Sequence, residues 1–245
     1  MWTHPKIIAH RGGGSLAPEN TLAAFECGFN LGFRAVEFDV MLTKDLVPVV
    51  VHDEELGRTI AGRGLICDML AEDLFLLDAG SWYGPEFAKS RVPSYQQVLE
   101  FCTLHGIWMN VEIKPAKGFE EVTGKIVAEV TRDFYLNTKL LLPLFSSFAL
   151  DALGVAQSVA PHIPRGILFD QVPIDWRERV REFEAVSLHT NHKYLSAELT
   201  SDIKQAGIGL SCYTVNEPAR AREIMAWGVD ALFTDNLELI AADFA

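Results

Sequence analysis

The chain is short of positive charge. Among its 245 residues, 21 Lys and Arg stand against 33 Asp and Glu, a formal net charge of −12. No cluster of lysines or arginines interrupts that balance. Nucleic acid and anionic membrane surfaces need a basic patch, so neither is an expected partner. An anionic substrate would have to be held locally, against a weakly repelling overall field. Cysteine is scarce as well. Cys27, Cys67, Cys102 and Cys212 show neither metal-ligand nor redox spacing, and read as reduced thiols in apolar settings. Long apolar runs are missing. The most apolar stretch, Leu140 to Ala160, is broken by Pro143 and Asp151 and reads as a strand plus a helix, not a membrane span. The opening MWTHPKIIAH has no apolar signal core, so a cytoplasmic location is expected. A nucleotide signature is absent too. AHRGGGSLAPENT, residues 9–21, lacks the G-x-G-x-x-G spacing, and no Gly-Lys-Ser/Thr follows. Its glycines read as a sharp backbone turn, with Asn20 or Thr21 capping the next helix.

What is present is an alternation of β-rich and amphipathic stretches. Strands are expected at Ile7–His10, Ala35–Met41, Val47–His52, Trp108–Ile113, Leu140–Phe145, Arg165–Phe169, Ala185–Thr190, Ile208–Val215 and Ala231–Thr234. Helices are expected at Thr21–Leu31, Glu120–Thr131 and Glu217–Trp227, among others. Such alternation implies βαβ units and a parallel sheet, and the length suits an eight-fold β/α barrel. The candidates number nine, one more than a barrel takes. Spacing does not identify the extra one, although Val47–His52 follows its neighbour too closely for a helical crossover. Residues 54–91 break the alternation and read as an insertion within a single 1–245 domain, of the kind that often forms lids.

Four short stretches place charged or titratable side chains at strand ends: AHRG (His10, Arg11), VEFDV (Glu37, Asp39), VVVHD (His52, Asp53) and NVEIKP (Glu112, Lys114). The C-terminal ends of barrel strands build active sites, and charges inside doubly buried strands are otherwise costly. Glu37 and Asp39 are two apart and share a face, as do Glu112 and Lys114. Carboxylates held together repel, and a hard divalent cation such as Mg²⁺ or Ca²⁺ resolves that repulsion. The alternative is a structural ion pair of Glu37 with Arg34 or Lys114. His10 and His52 are the acid–base candidates. His189 and His192 read as supporting or structural residues. Arg11 suits bidentate phosphate contact and Lys114 acts as a point charge. If three carboxylates, a divalent ion, Arg11 and Lys114 converge, about one net positive charge is left, which matches a phosphodiester monoanion.

With these residues in place, the chain resembles the glycerophosphodiester phosphodiesterases, specifically the short cytosolic bacterial UgpQ type. The resemblance runs over nearly the whole length through IIAHRGGGSLAPENTLAAF, VEFDV, VVHDEELGRT, LDAGSWYGPEF, NVEIKP, LFSSF, YTVN and FTDN. It implies a TIM-type (β/α)₈ barrel with a small insertion after the HD motif. It also implies one divalent metal on Glu37, Asp39 and Glu112, most often Mg²⁺, with Ca²⁺ or Mn²⁺ as alternatives. His10 and His52 match the family's acid–base pair, and Arg11 its phosphate-binding arginine. Glu19 and Asn20 match the residues that support the site, Lys114 the lysine near the phosphate, and Phe148 and Tyr213 the shapers of the substrate pocket. Two positions depart: Tyr213 stands where the family often has Trp, and Leu237 where it often has Pro.

The expected reaction is hydrolysis of a small-molecule glycerophosphodiester to sn-glycerol 3-phosphate and an alcohol. The sequence leaves open whether water or the glycerol 2-hydroxyl attacks, and which histidine is the acid. A lysophospholipase D-like enzyme acting on lipid diesters is an alternative, with Trp82 and Tyr83 as candidates to line an apolar groove. A catalytically silent phosphate-binding barrel is another, disfavoured because binding alone needs neither paired histidines nor three carboxylates. A metal-dependent lyase or isomerase would want a lysine base, for which Lys114 alone is thin support. Monomer and homodimer are not distinguished.

Overall fold

The computed structural model describes residues 2–244. In chain order its strands and helices begin with β1 (Ile7–Ala9), α1 (Leu22–Asn30), β2 (Ala35–Leu42), β3 (Pro48–Val50), α2 (Ala71–Leu74) and α3 (Tyr95–Leu104). There follow β4 (Trp108–Ile113), α4 (Glu120–Tyr135), β5 (Leu144–Ser147), α5 (Leu150–Val159), β6 (Arg165–Phe169) and α6 (Trp176–Glu182). The chain ends with β7 (Ser187–Asn191), α7 (Ala197–Gln205), β8 (Gly209–Tyr213), α8 (Pro218–Trp227) and β9 (Ala231–Thr234).

Every strand except β3 pairs in parallel, in the order β1-β9-β8-β7-β6-β5-β4-β2, and the β1–β2 pairing closes the ring. The fold is a TIM-type (β/α)₈ barrel. The extra strand is β3, which pairs antiparallel with β2, Val40 opposite Val50. The connection from Thr43 to Val47 is long enough for a hairpin but not for a parallel crossover. No described helix is long and apolar enough to cross a membrane.

Strand period two separates the interior from the helix-facing layer. Val36, Phe38, Val40, Val111 and Ile113 point outward and join the large core beneath the helices. Ile8, Ala35, Trp108, Leu144, Ala231 and Phe233 form a separate apolar cluster. On β2 and β4, residues 37, 39, 110 and 112 keep the inward phase of Ala35 and Trp108, so the alternation carries the carboxylates into the barrel. The register sets Asp39 beside Glu112 and Glu37 beside Asn110.

One strand starts well inside its expected bounds, and one of the two expected caps is selected. β5 begins at Leu144, not Leu140. Pro143 has no amide for the ladder, and Leu140 and Leu141 lie exposed in the preceding loop. The cap of α1 is Thr21, whose hydroxyl accepts the Ala24 amide at 3.2 Å; Asn20 is committed elsewhere. The segment 54–91 holds short turns and α2. Its Ile60, Ile66, Leu74 and Ala79 pack on Met41 of β2 and on Val49 and Val51.

Candidate active site

Glu37, Asp39 and Glu112 each offer an oxygen within 4.8 Å of the others. Glu37 and Asp39 are buried, and Glu112 lines the adjoining cavity. The three respond differently to confinement. Burial, and then repulsion from Asp39 and Glu112, pushes the Glu37 carboxyl well above its ordinary range. Burial followed by Asp39 lifts Glu112 to about 8, against the pull of Lys114 and Arg11. For Asp39 burial is outweighed by Lys114, Arg11 and the Asn20 amide, which hold it down at about 2. Lys114 Nζ donates to Asp39 Oδ1 at 3.2 Å, and Asn20 Nδ2 donates to Asp39 Oδ2 at 2.9 Å. An all-oxygen set with two destabilised carboxylates fits a hard divalent cation. The alternative ion pair does not form: Arg34 donates to the carbonyls of Phe29 and Phe33, and Lys114 meets Asp39 rather than Glu37.

Both histidines are held by carboxylates. His10 Nδ1 lies 2.6 Å from Asp235 Oδ1, and His52 Nδ1 lies 2.6 Å from Asp53 Oδ1. A carboxylate partner keeps the proton on Nδ1 and leaves Nε2 to exchange protons with a ligand. His10 Nε2 lies 3.7 Å from Glu37 Oε2. Burial lowers the His52 pKa, and Asp39 works against that shift. His52 does not follow a barrel strand. It follows β3, where the Val51 amide donates to the Asp39 carbonyl at 3.1 Å and pins the chain to the mouth.

Arg11 sits in the turn after β1 with φ 51°, and Asn20 has φ 59°. Such values are uncommon for residues with a Cβ and persist where surrounding contacts enforce them. Here the Arg11 amide donates to Glu37 at 3.1 Å, and the Asn20 amide donates to the Arg11 carbonyl at 3.0 Å. Arg11 Nη1 donates to Glu19 at 2.8 Å, while its buried Nε has no hydrogen-bond partner. Burial alone would lower the Arg11 pKa; Asp39, Glu19 and Glu37 together raise it. Its Nε lies 3.7 Å from Asp39 Oδ2, and the charged guanidinium as a whole borders the cavity, where it can attract an anion. Of the three consecutive glycines, Gly14 is under the tightest constraint. It has φ +55°, and a Cβ there would stand 2.3 Å from the Asp235 carbonyl. Gly14→Ala is therefore expected to destabilise the protein by about 1–3 kcal/mol, read as a lowered urea midpoint at constant slope. An unaltered midpoint would refute it.

His10, Arg11, Glu37, Asp39, His52, Glu112, Lys114, Phe148 and Tyr213 all line one cavity of about 260 Å³ at the barrel mouth. Glu19 does not line it but borders a neighbouring cavity with Arg11, and Asn20 is buried against Asp39. Tyr213 donates its hydroxyl to the Phe169 carbonyl at 2.9 Å and meets Phe148 edge to face at 5.9 Å. It thus presents a ring to the cavity, as a Trp would. Leu237 is buried away from this cavity. His189 lies inside the barrel against Ser187 and Phe233, with burial lowering its pKa to about 3. Neither His189 nor His192 lines the cavity.

The model of the glycerophosphoryl diester phosphodiesterase family matches residues 10–239. The chain belongs to this family. A glycerophosphodiester phosphodiesterase of Caldanaerobacter subterraneus is 33% identical over 239 residues, covering 96% of this chain and 95% of its own. Another from Bacillus altitudinis is 32% identical, covering 94% of each chain. Among solved structures, a phosphodiesterase of Oleispira antarctica in complex with the product sn-glycerol-3-phosphate has a TM-score of 0.92 at 37% identity. That alignment covers 97% of this chain and 96% of that one.

Three residues of this phosphodiesterase escaped assignment from sequence. Asp53 and Asp235 orient the histidines, and Arg58 joins the two sides of the mouth. Arg58 donates to Asp53 at 2.6 and 3.0 Å and to Glu19 at 2.7 Å through both of its terminal nitrogens. The quoted HD, GRT and FTDN stretches contain all three, so the signal was present without a role attached.

Proposed function

We propose that this phosphodiesterase hydrolyses glycerophosphodiesters, such as glycerophosphocholine or glycerophosphoethanolamine, to sn-glycerol 3-phosphate and an alcohol. The observation that carries the reading is the convergence, at one cavity, of three carboxylates, two carboxylate-held imidazoles and two cations. Binding of an anion needs the cations alone. Two carboxylate-held imidazoles lining the same cavity are what proton transfer at both ends of a diester requires. The product held by the Oleispira antarctica relative supports the substrate class.

Glu37, Asp39 and Glu112 would hold one divalent ion, Mg²⁺ in the first instance and Ca²⁺ or Mn²⁺ as substitutes. When bound, that ion supplies Lewis-acid polarisation and neutralises charge on a phosphoryl oxygen. Arg11 offers its charge to the phosphate, and Lys114 adds a second positive charge from the end of β4. One imidazole takes the proton of the attacking hydroxyl through Nε2. The other gives a proton to the departing alkoxide, a poor leaving group without it. Asp53 and Asp235 hold both rings in the required tautomer. Phe148 and Tyr213 bound the glycerol side. Residues 54–91 are read as an insertion within a single barrel domain, since their apolar side chains share a cluster with Met41 of β2.

The test is a glycerol-3-phosphate release assay over several head groups, with chelator and with added Mg²⁺, Mn²⁺ or Ca²⁺. Metal-dependent release is expected. No release above blank with any head group and any metal would end the proposal.

A further inference from the structure

The two imidazoles are anchored to the barrel in different ways. Asp235, which holds His10, directly follows β9, and it accepts the side-chain amide of Asn216, just beyond β8, at 3.1 Å. Asn216 Oδ1 accepts the Asp235 amide in return at 2.8 Å. His10 is therefore held from two strands of the ring. His52 follows β3, which lies outside the ring. Asp53, which holds its Nδ1 at 2.6 Å, is the next residue in the chain and shares the same attachment. A partner that travels with His52 orients the ring without fixing it to the barrel.

Arg58 supplies that connection. Its Nε and Nη2 donate to the two oxygens of Asp53 at 2.6 and 3.0 Å, and Nη1 and Nη2 donate to the two oxygens of Glu19, both at 2.7 Å. Glu19 stands in the connection between β1 and α1, which also carries Arg11, and accepts Arg11 Nη1 at 2.8 Å. One planar guanidinium thus joins His52, through Asp53, to Arg11, through Glu19. A carboxylate gripped by two N–H groups is fixed in orientation as well as distance, which an ammonium does not achieve. Burial opposes ionisation of Asp53, but hydrogen bonds from Arg58 and His52 hold its pKa down at about 2. Burial of Glu19 is likewise outweighed by Arg58 and Arg11, which keep it below its ordinary value. Both acids stay ionised at neutral pH, so the bridge stays charged. The Arg58 side chain is 46% exposed, so its removal opens no hole in the core.

We propose that Arg58 is a positioning residue for the reaction: by gripping Asp53 and Glu19 at once, it fixes the spacing between the imidazole of His52 and the guanidinium of Arg11. The inference rests on the hydrolytic reading given above, in which those two groups act on one phosphodiester. Proton transfer tolerates little error in distance, and a displacement of about 1 Å costs on the order of a hundredfold. Substrate affinity, carried by Arg11 and Lys114, does not depend on where the His52 ring stands. Loss of the bridge is therefore felt in kcat rather than in KM.

The test measures glycerol 3-phosphate release from glycerophosphocholine and glycerophosphoethanolamine, at saturating metal, by the wild type, Arg58→Gln, Arg58→Lys and Arg58→Ala. Arg58→Gln and Arg58→Lys are each expected to lose at least about tenfold in kcat, as outer partners of reacting groups commonly do, with KM within about twofold. Lysine keeps the charge and lacks the fork, so its failure to rescue separates positioning from charge alone. Arg58→Ala should regain kcat when guanidinium is added at a non-denaturing concentration, and not with sodium chloride at equal ionic strength. Recovery of that kind also shows that the variant is folded. A kcat loss below about tenfold in Arg58→Gln, a loss carried by KM, full activity in Arg58→Lys, or no recovery with guanidinium overturns the positioning role alone. A wild type that turns over no head group with any metal overturns the hydrolytic reading and this role with it.

Discussion

His10→Ala and His52→Ala are each expected to lower kcat at least about a hundredfold while the thermal transition stays cooperative. The size follows from what each ring does. Each has Nδ1 engaged by a carboxylate at 2.6 Å and lines the shared cavity. Alanine removes the proton carrier and leaves Asp235 or Asp53 without its partner, yet both rings sit at the mouth rather than in the packed core. Steady-state release of glycerol 3-phosphate, with metal held constant and saturating, isolates the chemical contribution. Near-normal turnover in both variants would remove the acid–base pair from the mechanism. Loss in one only would leave a single imidazole in that role.

Metal removal, and Glu112→Gln, form the second large expectation. Chelation should abolish turnover. Glu112→Gln should raise the divalent-ion concentration needed for half-maximal activity by at least about tenfold, since even outer-shell partners of a metal site are commonly worth 10–100-fold in affinity. Stability gives a readout independent of turnover. The folded-state pKa of Glu37 lies well above the ordinary value, and that of Glu112 is lifted to about 8. A carboxyl whose pKa is raised on folding stabilises fully below its unfolded pKa, about 4.3, and loses that contribution as pH rises through the folded value. Metal-free protein should therefore lose melting temperature between about pH 4.3 and 8. Asp39 has the opposite sign. Held down at about 2, its contribution is present above the unfolded value and disappears only in strong acid. A divalent ion bound to the ionised set cancels the loss, so its stabilisation should grow across the same interval. A melting temperature that responds equally to metal at pH 5 and pH 8 would contradict the arrangement, and activity indifferent to chelator would remove the metal from it.

How much of this was legible in the sequence differs from residue to residue. Glu37, Asp39, Glu112 and Lys114 were legible because strand period two is local, and an i, i+2 pair on a barrel strand faces one way whatever the rest of the chain does. His10 and Arg11 were legible for a related reason, since they immediately follow a strand. His52 was identified although its route was not. It belongs to no barrel strand, and reaches the mouth through the antiparallel pairing of β3 with β2. The start of β5 was misplaced because apolar residues at 140–142 resemble a strand, while the ladder starts only after Pro143.

The sequence by itself determined which donors exist, and that the carboxylates share a face. Those facts depend on residue type and on the geometry of a few adjacent peptide units. Only the tertiary structure decided which strand stands outside the ring, that Asp235 holds His10 across 225 positions of chain, and that Arg58 bridges Asp53 to a Glu19 that lies 39 positions away. It alone brought Trp82 and Tyr83 to the glycine loop, beside the cavity that His10 and His52 line. No local periodicity encodes these contacts. They arise when the β1–β9 and β1–β2 pairings bring distant strand ends to one rim, where a side chain's partner is set by position around the barrel rather than by distance along the chain.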